Sequence, residues 1–68
     1  MMILNEFKYT LGKAGYLSMY DTVTGEMVLR MPKEALLELP SGGLLGRKGF
    51  RMIEGEELGQ VIQWVQDV

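Results

Sequence analysis

Two runs of alternating side chains meet at a tight turn, and that arrangement constrains the fold more than any other stretch of the chain. Tyr16-Leu17-Ser18-Met19-Tyr20 leads into the turn and Met27-Val28-Leu29-Arg30-Met31 leads out of it. The connection is Asp21-Thr22-Val23-Thr24-Gly25-Glu26. An aspartate there can accept from the backbone two residues on, and Gly25 can take the left-handed conformation that a short hairpin loop needs. Residues 16–22 and 26–31 are therefore expected to pair as antiparallel strands. Neither face of the first is strongly polar, which suits a central strand. In the second, Met27, Leu29 and Met31 are expected on one side and Val28 and Arg30 on the other.

The flanking segments extend this unit. Residues 3–11 read as one strand, with Ile3, Phe7, Tyr9 and Leu11 on a common face that Asn5 interrupts. Gly12-Lys13-Ala14-Gly15 turns the chain back. After the hairpin, Pro32 stands where a first helical residue belongs, because its missing N–H would be unpaired there anyway. Residues 33–39 then give about two helical turns, offering Leu36, Leu37 and Leu39 for burial. Pro40-Ser41-Gly42-Gly43 ends that helix, and Phe50-Arg51-Met52-Ile53 is a candidate short fourth strand.

Near the end, Leu58, Val61, Ile62 and Val65 fall at i, i+3, i+4 and i+7, one stripe of a helix over residues 55–67 that Trp64 widens. Glu54, Glu56 and Glu57 sit at its start, where carboxylates favour the positive end of the dipole. The expected fold is α+β: a small antiparallel three- to four-stranded β-meander, a short middle helix and a C-terminal amphipathic helix packed on one face. Residues 1–68 form one domain in this reading.

Composition narrows the function classes. The chain has 68 residues, with neither cysteine nor histidine. No disulfide or thiolate metal site is possible, and the usual zinc ligand and neutral-pH proton shuttle are absent from the sequence. No cofactor or metal is expected. Ser18, Ser41 and the threonines lack a histidine to activate them, and Glu56 and Glu57, adjacent on a helix, point about 100° apart and make no matched acid–base pair. The reading is not an enzyme. No apolar run approaches the roughly 20 residues that cross a bilayer, the first residues lack a signal-peptide pattern, and a cytoplasmic protein without membrane contact is expected. A chain this short supplies about 3–5 kcal/mol from its core, so a homo-oligomer or a bound partner is expected to add to it.

Charge is unevenly placed. Residues 1–53 carry seven basic and five acidic side chains, whereas residues 54–68 carry four acidic and no basic ones. Arg47, Lys48 and Arg51 around Phe50 form a basic cluster, the candidate nucleic-acid contact. Three cations on a chain of net charge −2 make a thin electrostatic footprint. The glycine-rich run from Ser41 to Gly49 invites a phosphate-binding reading, but it follows a helix instead of a strand and lacks the P-loop ending. A connector is preferred.

Tyr9, Tyr16 and Tyr20 are candidates to line one surface of the sheet, where exposed tyrosines are good interface anchors because they bring area at low entropic cost, or else to pack across strands within the monomer. Met19, Met27, Met31 and Met52 suit either an irregular core or a pliable docking surface. Tyr16, Met19, Tyr20 and Trp64 are the candidate protein-interface residues.

From Tyr16 to Leu39 the order of strand, Asp-x-x-Thr-Gly-Glu, strand, Arg-x-Pro and helix resembles the conserved end of FlaG-type flagellar accessory proteins. Asp21, Thr24, Gly25, Glu26, Arg30 and Pro32 stand at the matching positions, and Gly43-Leu44-Leu45 matches a Gly-Leu-Leu string that follows the family's helix. The second proline of the family pattern is missing, the arginine-to-proline spacing is one residue shorter, and the C-terminal helix has no counterpart there. The resemblance implies a non-catalytic, protein-binding role. Taken together, the residues and the resemblance lead to an accessory or regulatory protein–protein interaction module. The competing expectation is a small regulator of the kind a phage or mobile element encodes, binding nucleic acid or inhibiting a host protein.

Overall fold

Asn5 reverses the chain four residues into the sequence. It sits at φ 49°, a left-handed conformation that asparagine tolerates better than most side chains. The stretch expected as one strand is therefore two, β1 (Met2–Leu4) and β2 (Phe7–Leu11), paired antiparallel with Ile3 opposite Lys8. This corrects the placement of Ile3: it lies on the face opposite Phe7 and Tyr9 and is 61% exposed. The structure, a computed structural model, describes residues 1–38, 43–45 and 51–68.

β3 (Tyr16–Asp21) and β4 (Met27–Pro32) complete an antiparallel sheet in the order β1-β2-β3-β4. β3 is central, as its two apolar faces required. The loop between them is closed by its own residues. Asp21 Oδ1 accepts from the Val23 and Thr24 amides at 2.7 and 3.1 Å, and the Gly25 amide donates to the Asp21 carbonyl at 2.8 Å. Thr24 Oγ1 accepts from the Glu26 amide at 3.1 Å, and Gly25 sits at φ 73°. Thr22 ties this loop to the β1–β2 turn, donating its amide and its hydroxyl to the Glu6 carbonyl at 2.8 and 3.0 Å.

β4 departs from simple alternation. Tyr20 pairs with Met27 and Met19 with Leu29, which leaves Val28 as an extra residue in the ladder, a β-bulge. Val28 turns inward and is fully buried, and Met27 faces out, 39% exposed. The expectation that Val28 shares a side with Arg30, and Met27 with Leu29 and Met31, is corrected by this bulge.

Pro32 precedes α1 (Lys33–Leu37) as its N-cap, in extended backbone at φ −62° and ψ 142°. One residue separates this from the expected first helical position. Leu36 is buried and Leu37 is exposed; Leu39 lies outside the described residues. The expected fourth strand near residues 50–53 exists as β6 (Met52–Ile53), but it pairs with β5 (Leu44–Leu45) in a separate two-stranded sheet. Phe50 lies outside the described residues. Gly43, just before β5, sits at φ 76°, and a Cβ there would stand 2.7 Å from the Ile53 carbonyl oxygen. Only glycine lets these two backbones approach so closely.

α2 (Gly55–Asp67) matches the expected helix. Its buried Leu58, Val61 and Val65 join Phe7, Tyr9, Leu17, Met19, Val28, Leu36, Leu44 and Ile53 in one core. The helix touches α1 and β1. The sheet thus has a covered inner face and an outer face pointing away from the core. Among the described residues, no helix is long and apolar enough to cross a membrane.

Candidate functional site

The outer face of the sheet is built by the residues that alternate with the core. On β1 this is Ile3, on β2 Lys8 and Thr10, on β3 Tyr16, Ser18 and Tyr20, and on β4 Met27 and Arg30. None of these strand positions carries a carboxylate. Cross-strand register arranges them in rows. Ile3 pairs with Lys8, Lys8 with Tyr20 and Tyr20 with Met27, so one row crosses all four strands. A second row runs Thr10, Ser18, Arg30.

Both cations lie over tyrosine rings. Lys8 Nζ stands 5.7 Å from the centroid of Tyr20, and Arg30 Cζ stands 4.6 Å from that of Tyr16. Such contacts hold a cation without neutralising it, because the ring offers a quadrupole and no charge. Register sets Lys8 between Ile3 and Tyr20, so the first row is an apolar stripe with one charged head. Beside it, along β4, a depression of about 400 Å³ is lined among the described residues by Met27, Val28, Leu29 and Arg30.

The expected interface residues separate on this frame. Tyr16 and Tyr20 share the outer face, with Tyr16 39% exposed. Met19 is corrected to the core: it is fully buried beneath β3, pairing with Tyr9 and Leu29 on the neighbouring strands. Trp64 is half-buried against the core from α2, on the other side of the sheet from the two tyrosines. Tyr9 faces inward as well, so the three tyrosines do not line one surface. Sequence reasoning did not name Ile3, Lys8, Met27 and Arg30 as interface residues. The alternation of Lys8 and Arg30 with buried neighbours was the available signal; the Asn5 turn and the Val28 bulge hid the other two.

The expected nucleic-acid cluster is placed only in part. Arg47 and Lys48 lie outside the described residues. Arg51 spends its charge locally: its two terminal nitrogens reach both carboxylate oxygens of Glu57 at 2.7 and 3.1 Å. Asn5 donates from its side-chain amide to the same carboxylate. Hydrogen bonding to Arg51 holds the Glu57 carboxyl below the usual range and raises the guanidinium further. Glu57 thereby joins the β1–β2 turn, the start of β6 and the first turn of α2. Behind it, the Tyr9 hydroxyl is buried with no hydrogen-bond partner among the described residues, and burial, with Glu57 adding, pushes its pKa up to about 12. This side of the molecule is a structural joint.

Comparison with family models, with curated proteins and with solved structures finds no match for this chain. The class that the geometry defines is a small α+β domain with one face of its sheet left open.

Proposed function

We propose that this chain is a small, non-enzymatic binding module, an accessory or regulatory factor that engages a protein partner through the open face of its sheet. One observation carries the reading. Ile3, Tyr16, Tyr20 and Met27 present apolar surface outward from β1, β3 and β4, while the residues that alternate with them fill the core. An aqueous face with no partner has no need of two tyrosines, an isoleucine and a methionine, and clustered apolar surface rimmed by polar groups marks a contact site. The donor set adds support. The face offers hydroxyls, rings and two cations, with no histidine, cysteine or carboxylate for proton transfer or nucleophilic attack. The resemblance of residues 16–45 to FlaG-type accessory proteins points the same way, although Asp21, Thr24 and Gly25 are already engaged in closing the hairpin loop.

The test is affinity capture from the native source with the wild-type chain beside the Tyr16→Ala/Tyr20→Ala double variant. A defined set of proteins should be retained by the first and lost from the second, with both chains melting at similar temperatures. Identical captured sets would sink the reading. The nucleic-acid reading gains nothing from the described residues of its cluster, since Arg51 is matched by Glu57.

A further inference from the structure

Resting on that reading, we infer that the partner presents an acidic linear segment with a large apolar side chain, laid across the strands of the open face. Three features of the face select this occupant. The first is charge. Lys8 and Arg30 project from the face, and Lys13 and Lys33 stand at the end where β2 turns into β3 and β4 enters α1. No described carboxylate occupies an outer-face strand position: Glu6 and Glu26 flank the face at the strand ends opposite Lys13 and Lys33, Asp21 is buried, Glu34 follows Lys33 on α1 with Glu38 beyond it, and Glu54, Glu56, Glu57 and Asp67 lie at the cap of α2 and along it. The acidic net charge of the chain therefore conceals a sheet face whose own charged residues, Lys8 and Arg30, are both cationic. A partner with the opposite sign is steered to that side and held in register there.

The second feature is area. A sheet of four strands at their usual spacing is roughly 14 Å across, and five residues of strand are about 17 Å long, so the face offers on the order of 240 Å². A stable pairing of globular surfaces needs about 800 Å² on each side. The open face falls well short of that and suits a linear segment. About five extended residues span its width. A second copy is the poorer fit, because two-fold pairing of these faces brings Lys8 and Arg30 of one copy against like charges of the other.

The third feature is the form of the apolar surface. The Ile3–Lys8–Tyr20–Met27 row leads to the depression along β4. At about 400 Å³ that depression accommodates a leucine, phenylalanine or tryptophan side chain. Single-stranded nucleic acid also uses tyrosines and cations, but it stacks bases on open ring faces. Here those faces are covered by the chain's own Arg30 and Lys8, and Ile3 and Met27 offer nothing to a phosphate.

The probe is a displayed library of random peptides of about ten residues, twice the length needed to cross the face. It is panned against the full chain, and fluorescent versions of enriched members are titrated. Enriched peptides should carry at least a pair of Asp or Glu residues beside a large apolar residue. Their affinity should fall about tenfold or more between roughly 0.05 and 0.5 M salt. The Lys8→Glu/Arg30→Glu variant should lose these peptides and select basic ones instead. The neutral Lys8→Gln/Arg30→Gln variant serves if the reversed one fails to fold, and should lose the acidic peptides without selecting basic ones. Peptides free of carboxylates that bind wild type and charge variants equally, but not Ile3→Ser/Tyr20→Ser, would overturn the inference and leave the binding module standing. No enrichment, or enriched peptides that ignore Ile3→Ser/Tyr20→Ser, would overturn both. Displacement of the peptides by a single-stranded thymidine oligonucleotide at comparable concentration would replace the acidic segment with a nucleic acid.

Discussion

Neighbouring residues of β3 do opposite work. Leu17 and Met19 are fully buried in the core, whereas Tyr16, Ser18 and Tyr20, one position away, face outward. The backbone is common to both, so only the direction of each side chain separates a stability residue from a recognition residue. Inner-face changes should read out in unfolding and outer-face changes in binding.

The sharpest way to break that contrast is a pair of adjacent substitutions on β2. Phe7→Ala removes a fully buried ring and should cost about 3–5 kcal/mol, comparable to the whole stability of a domain this size, so the variant should be largely unfolded by circular dichroism. Lys8→Ala, its neighbour on the outer face, should change stability by no more than about 1 kcal/mol in urea titration. Equal losses would abolish the distinction between the faces.

A smaller effect is expected at the hairpin. Asp21→Ala strips the acceptor from two loop amides and should cost about 1–3 kcal/mol without changing the sheet signature. If the Asp21 variant instead unfolds as Phe7→Ala does, the loop is part of the core's cooperative unit and not a separable closure.

Tyr9 is the inner face's exception, a polar atom without a partner among the described residues. Tyr9→Phe should therefore be neutral or stabilising by about 1 kcal/mol, read from the melting temperature. It should also flatten the alkaline limb. With a folded pKa of about 12 against an ordinary 10.0, the native phenol keeps a proton that the unfolded chain releases. Stability is then whole below pH 10 and is lost as pH rises towards 12. A destabilised Tyr9→Phe protein would mean that the hydroxyl is bonded.

The smallest effect lies on the acid side. Glu57 has a folded pKa below its unfolded value, so its contribution is present above the ordinary value of 4.5 and fades as pH falls through the folded pKa. Glu57→Gln should reduce the slope of stability against pH in that window while leaving neutral-pH spectra alike. An unchanged slope would show that the Arg51–Glu57–Asn5 joint adds nothing in solution, as holds for many exposed pairs.

Legibility in the sequence followed how local the cause was. The β3–β4 hairpin could be read because Asp21, Thr24 and Gly25 close it with bonds spanning a few residues, and α2 because Leu58, Val61 and Val65 repeat at helical spacing. Two single-residue events escaped. Asn5 turned an apparently continuous strand into a hairpin, and alternation counted through it put Ile3 on the wrong side. Val28 shifted β4 by one, exchanging the expected sides of Val28 and Met27. The outer face depends on both events, so its tyrosines were named from sequence while Ile3, Lys8, Met27 and Arg30 were not. The β5–β6 pairing joins residues brought together by the tertiary fold, with Gly43 marking the close approach only once its partner is known.

The Val28 bulge makes one point of this sheet unusually forgiving of a shortened gene. Loss of a residue within a strand normally inverts everything beyond it. Removing Val28 would instead let Met27 and Leu29 follow each other in step with Tyr20 and Met19, the partners they already have. A descendant lacking that valine would surrender core volume and some strand twist, yet still display the same outward pattern to whatever it meets.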